Sequence, residues 1–117
     1  MLKEINLKEV GSVESSIAIT RMEIDNANLE GITVLKLLHG YGSHGSGGVI
    51  LKEVRKELSY LKKKKKIKDF FNGEKWNLLD TEVIKILSKD KSIVGDSDLN
   101  RRNPGITIVV LWGKNEM

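Results

Sequence analysis

Cysteine is absent from the 117 residues, which excludes disulfides, thiolate nucleophiles and cysteine-based zinc sites. The absence suits a reducing compartment, and the cytoplasm is the expected location. Aromatic side chains are scarce, at 5% of the sequence, so any core must be built from aliphatic residues. Proline occurs once, at Pro104. No apolar run approaches the ~20 residues that a membrane helix needs. The first residues, Met1-Leu2-Lys3-Glu4, lack the apolar stretch of a secretory signal. No membrane partner is expected.

What is present is charge and aliphatic side chains. Charged residues make up 31% of the chain and hydrophobic residues 39%, a balance that fits one folded domain over residues 1–117. The net charge is +4, and Lys62 to Lys66 form an unbroken run of five lysines followed closely by Lys68. Such a cluster attracts phosphates. It also fits a solvated helix end, where the dipole favours cations.

Periodicity predicts the elements. Leu2, Ile5 and Leu7 anchor a short first strand, although Leu2 and Ile5 are out of step. Ser12 is placed to cap a helix carrying Glu14 in its first turn, with Val13, Ile17, Ile24 and Ala27 on one stripe widened by Ala18, and Gly31 as its stop. Ile32 to Leu38 is almost continuously apolar and β-branched, which predicts a central strand covered on both faces. Ile50, Val54, Leu58 and Leu61 define the clearest amphipathic helix, ending in the lysine run. A third strand is expected at Ile67–Phe71 and a turn at Asn72-Gly73. A helix within Trp76–Ser88 follows, capped by Asp80 or Thr81, with Val83, Ile84 and Leu87 inward. Residues 89–104 read as a polar, mobile loop, and Gly105–Trp112 as the last strand. The order implies an α/β fold: a mixed four-stranded sheet, two main helices and a helical insertion at about 73–104 before the final strand.

The segment His39-Gly40-Tyr41-Gly42-Ser43-His44-Gly45-Ser46-Gly47-Gly48 joins the buried strand to the strongest helix. Five glycines in ten residues let a backbone approach a phosphate, and helix N-termini attract anions. His39 and His44 add imidazoles, Ser43 and Ser46 hydroxyls. The same pattern also serves a tight strand-to-helix connection in which His39 bonds to nearby backbone. No Lys-Ser or Lys-Thr pair closes the turn, so it is not a Walker A loop. Gly40, Gly42 and Gly45 match G-x-G-x-x-G, but not after a first strand and with no acidic residue near Lys65, so it is not a dinucleotide fingerprint. Two histidines without a nearby carboxylate make an incomplete metal set. The acidic residues Asp80, Glu82, Asp96 and Asp98 form no metal constellation and read as caps and solubilising charges.

Leu35-Lys36-Leu37-Leu38-His39-Gly40-Tyr41-Gly42 resembles the second motif of the small MutS-related (Smr) domain, a His-Gly-x-Gly turn after an apolar strand. The amphipathic helix and the strand Gly105–Leu111 match in order. Asn103–Ile108 and Gly73–Trp76 resemble a subset of Smr-like proteins from low-GC Gram-positive bacteria. The resemblance implies a two-layer α/β sandwich related to the C-terminal domain of a bacterial translation initiation factor. It implies binding of DNA or RNA, and for several members cleavage. The family's first strand usually carries Leu-Asp-x-His-Gly, where Asn6 and Lys8 stand here at the Asp and His positions. Neither is an ordinary base near neutral pH, which favours binding over hydrolysis.

Three readings follow. A nucleic-acid-binding module would use Lys8, His39, Gly40, Tyr41, Gly42, Ser43, His44 and Gly45, with Lys62, Lys63, Lys64, Arg101 and Arg102 as further phosphate contacts. An Smr-type endonuclease would use His39 as its catalytic group; no cofactor is expected, and a divalent metal only in this case. A protein-interaction module would present Trp76, Leu78 and Leu79 on the insertion. Tyr41 is the best candidate for base stacking, whereas Trp76 and Trp112 read first as packing residues.

Overall fold

The out-of-step apolar residues at the start of the chain serve two different faces. Strand β1 (Leu2–Asn6) sends Ile5, followed by Leu7, into one apolar cluster and Leu2 towards another on the opposite side. The computed structural model describes residues 1–40 and 47–113.

Helix α1 (Val13–Glu30) starts where expected, with the Ser12 hydroxyl oxygen accepting from the Ser15 amide at 3.1 Å, and stops at Gly31. Its buried stripe differs from the expected one. Ser16, Thr20, Ile24 and Ala27 face inward, Val13 and Ile19 pack beside them, and Ala18 is exposed. The hydroxyls of Ser16 and Thr20 are tolerated there because each donates to the carbonyl four residues back, at 2.9 and 2.8 Å. Small polar residues whose hydroxyls are bonded within the helix look solvent-facing in a hydropathy pattern.

Strand β2 (Val34–Leu38) is central and buried on both faces. Helix α2 (Gly47–Lys63) buries Ile50, Val54, Leu58 and Leu61 as its spacing predicts. Strand β3 (Asp69–Asn72) runs into a 3-10 turn at Gly73–Lys75. Helix α3 (Thr81–Lys89) is capped by Asp80, whose carboxylate accepts from the Glu82 and Val83 amides. Ile84 is a correction: it points outward, 47% exposed, and Ile86 joins Val83 and Leu87 on the inner side. The segment 89–104 is likewise not a bare loop. It holds a 3-10 turn at Lys91–Gly95 and buries Ile93 and Leu99 before strand β4 (Ile106–Val110).

The sheet order is β1-β2-β4-β3. β1 and β2 are parallel, and β4 lies between β2 and β3, antiparallel to both. Helices α1 and α2 cover one face through Leu35, Leu37 and Val109; the insertion covers the other through Val34, Ile106, Ile108 and Val110. The result is a mixed four-stranded α/β sheet with two main helices and a helical insertion. Gly73 and Asn103 bring the two ends of the insertion together: a Cβ on Gly73 would stand 1.9 Å from the Asn103 carbonyl oxygen and 2.4 Å from Ile106 Cγ1.

Candidate nucleic-acid interface

The strand register brings some of the sequence candidates to one end of the sheet. Asn6 pairs with Leu38, Leu38 with Ile106, and Thr107 with both Leu37 and Asn72. The ends of β1, β2 and β3 and the start of β4 therefore share one rim, with His39 and Gly40 directly after β2. Lys8 lies there, exposed, just past β1, and Asn6 accepts the Lys8 amide proton on its side-chain oxygen at 2.9 Å.

His39 occupies the rim but does not project from it. It is 1% exposed, and both ring nitrogens are engaged. Nδ1 lies 2.9 Å from the Gly40 carbonyl oxygen, which can only accept, so Nδ1 carries the proton. Nε2 lies 2.8 Å from Thr107 Oγ1, which itself accepts from Arg55 Nε at 3.2 Å. The hydroxyl proton is thereby directed to Nε2, and the chain of donors runs Arg55, Thr107, His39, Gly40. Burial holds the imidazole pKa below its ordinary value; the Gly40 carbonyl opposes this and Arg55 reinforces it. Arg55 Nη2 is buried with no hydrogen-bond partner among the described residues. The His39 and Gly40 amides both donate to the Gly105 carbonyl at 3.0 Å, and Gly40 takes φ +78, a conformation that favours glycine. Tyr41, Gly42, Ser43, His44 and Gly45 lie outside the described residues.

Arg101 and Arg102 are exposed on the same rim, carried by the segment that returns from the insertion. Asp98 holds that segment: its Oδ1 accepts from Asn103 at 3.0 Å, while Oδ2 accepts from Lys36 Nζ at 2.7 Å. Lys36 is 1% exposed, in the middle of β2, and also meets Asp96 at 2.7 Å and Glu4 at 3.1 Å. Burial alone would lower its pKa, but the hydrogen bonds to Asp96, Asp98 and Glu4 prevail and raise it. Trp76, fully buried, donates from Nε1 to Asp96 at 3.0 Å. Asp96 and Asp98 are thus the counter-ions of a buried ammonium rather than solubilising charges, and Trp76 is a core residue. Leu78 and Leu79, 47% and 85% exposed, remain outside without it.

Lys62, Lys63 and Lys64 sit at the far end of α2, whose 17 residues span roughly 25 Å, and are not brought to the rim. Lys62 pairs with Asp69 at 2.9 Å, and Lys64 lies 5.7 Å from the centre of the Tyr60 ring. The helix closes with the Lys66 amide donating to Leu61 and the Lys65 amide to Lys62, which puts Lys65 at φ +60, where glycine is usual. Trp112 braces this turn, its Nε1 donating to the Lys65 carbonyl at 3.1 Å.

This architecture matches the crystal structure of the Smr domain of Thermus thermophilus MutS2, with a TM-score of 0.59 over 93% of this chain and 96% of that one. The chain has the Smr fold. Sequence identity to that domain is 19%, and no protein-family model and no curated protein matches the sequence. His39 and Gly40 follow the central strand β2, and α2 begins at Gly47. No group of three or more His, Cys, Asp or Glu that could hold a metal occurs among the described residues. No described helix is long and apolar enough to cross a membrane.

Three residues of this network escape a reading of the sequence. Lys36 was visible as one lysine inside an otherwise apolar strand, and a lysine in a central strand needs buried counter-charges. Thr107 was similarly the one hydroxyl among Ile106 to Leu111. Arg55 carried no signal, because a charged residue on an amphipathic helix is ordinary.

Proposed function

We propose that this domain binds nucleic acid through the phosphate backbone at the rim where β1 and β2 end. The observation that carries this reading is the convergence of Lys8, Arg101 and Arg102 with the entrance of α2, whose first amides have no partners within the helix. Arg102 is held at φ +52, so a cation occupies a position where glycine would be easier. His39 acts by positioning: a neutral, buried imidazole ties the end of β2 to β4 and shapes the start of the Gly-rich connection. The Smr fold supports the same reading, since it is shared with a domain of MutS2.

The test is fluorescence anisotropy with a labelled single strand, a duplex and a structured RNA across a salt series. Lys8→Gln, Arg101→Gln and Arg102→Gln combined should weaken binding and make the slope of log K against log salt shallower by about 2–3, one unit per lost phosphate contact. Unchanged affinity and slope would overturn the reading. Incubating the same substrates and a supercoiled plasmid with Mg²⁺, beside His39→Ala, reads cleavage in parallel. Cleavage by the natural protein alone would move His39 from a positioning to a catalytic role.

A further inference from the structure

The outer face of α2 carries a line of unpaired cations between the rim and the lysine run. Lys52, Lys56 and Lys63, with Ser59 among them, follow one another at spacings of four, three and four residues, within an arc of about 60° on the helix. All four are exposed, and none of the three lysines pairs with a carboxylate among the described residues. Of the two acidic residues on the helix, Glu57 is turned away and bonded to Arg21 of α1 at 2.7 Å, and Glu53, beside Lys52 and one turn before Lys56, pairs with neither lysine among the described residues. At the far end, Ser59, Lys62, Lys63 and Phe70 line a shallow groove between α2 and β3, with the half-buried Phe70 ring in its wall.

The geometry points to a track for one nucleic-acid strand along α2, beginning at the rim and ending in the Phe70 groove. This rests on the reading that the rim binds nucleic acid. Phosphates along an extended single strand lie roughly 6 Å apart, close to the rise of one helical turn, so roughly 25 Å of helix matches about four steps, or about five nucleotides. The lysines at successive turns neutralise phosphates, and the aromatic wall of the groove offers a face on which a base can stack. A single strand suits it better than a duplex, because a paired base cannot turn its face towards Phe70. An anionic membrane is the competing occupant, because Val49 and Tyr60 are exposed beside the stripe.

Oligothymidylates of 2, 5 and 10 nucleotides, titrated against the whole chain and against Lys52→Gln/Lys56→Gln/Lys63→Gln, test it. The natural protein should gain affinity from 2 to 5 nucleotides and much less beyond. The triple variant, with an unchanged melting temperature, should lose that gain, and its salt slope should be shallower by about 2. Between 50 and 200 mM salt the natural protein should therefore lose roughly 10–20-fold more affinity than the variant. Identical length dependence and slope in both proteins would overturn the track and leave the rim reading standing. Loss in this variant with no effect of the Lys8/Arg101/Arg102 substitutions would support the track and remove the rim. Preference for phosphatidylserine vesicles over oligonucleotide, lost in the same variant, would overturn it in favour of an anionic membrane.

Discussion

The Thr107 hydroxyl donates to Nε2 of His39 across 2.8 Å, and this one bond sets the proton inventory of the rim. Because Arg55 Nε has already filled an acceptor position on Thr107, the hydroxyl hydrogen has His39 as its acceptor, and the histidine proton sits on Nδ1 against Gly40. Thr107→Val keeps the shape and removes the hydroxyl, leaving Nε2 of His39 and Nε of Arg55 without their bonds. Chemical denaturation should show a loss of about 2–4 kcal/mol. A loss below about 0.5 kcal/mol would mean that the chain of donors contributes little.

The His39 pKa is lowered, so the sign of its pH effect is fixed. Between its folded pKa and about 6.5 the unfolded chain binds the proton that the native state refuses. This contribution to stability is full above pH 6.5 and declines as pH falls towards the folded value. Long-range ¹H–¹⁵N spectra should show His39 as the Nδ1-H tautomer, still neutral below pH 6.5. A ring already cationic at pH 6.5 would contradict the assignment.

Lys36 is the only cation facing Asp96 and Asp98 from within β2. Lys36→Met leaves both carboxylates partly buried without it, and should cost about 3–5 kcal/mol. Burial would raise the Asp98 pKa, but Lys36, Asn103 and the charge on Lys8 prevail and lower it. Its contribution is present above the unfolded value, near pH 4, and is lost as pH falls through the folded one. Acid unfolding followed by circular dichroism should therefore be steeper below pH 4 in the natural protein than in Lys36→Met. Equal slopes would show that the ion pairs do not drive acid sensitivity.

Lys65→Gly relieves a left-handed residue at the end of α2. The side chain gains nothing from that conformation, so stability should rise by about 0.5–1 kcal/mol, or a few degrees in Tm. A fall in Tm would mean that the Lys65 side chain supports the turn.

Much of the fold was legible in the sequence, because strand and helix periods, Ser12, Gly31 and Asp80 all act locally. Ser16 and Thr20 aside, what was not legible depends on partners distant in the chain. Those two look polar until their hydroxyls are seen bonding to their own helix. Ile84 and Ile86 exchange roles because α3 packs on the sheet by the side that carries Val83, Ile86 and Leu87. At the rim, Lys8, His39 and the arginine pair were readable as residue types. The Lys36–Asp98 and Arg55–Thr107 links, across 62 and 52 positions, were not, since no local pattern encodes them.

Gly73 and the Asn103 carbonyl touch so closely that no side chain fits between them. The thirty or so residues between them thus leave the sheet and return to it through one narrow neck. Gly73→Ala should wedge that neck open, costing about 1–3 kcal/mol or more in a denaturation experiment. The neck also makes the intervening segment an exchangeable cassette: a short linker from residue 73 to residue 103 spans almost no distance. Such a graft would leave strand order intact while exposing the Val34, Ile106 and Ile108 face to whatever replaced it.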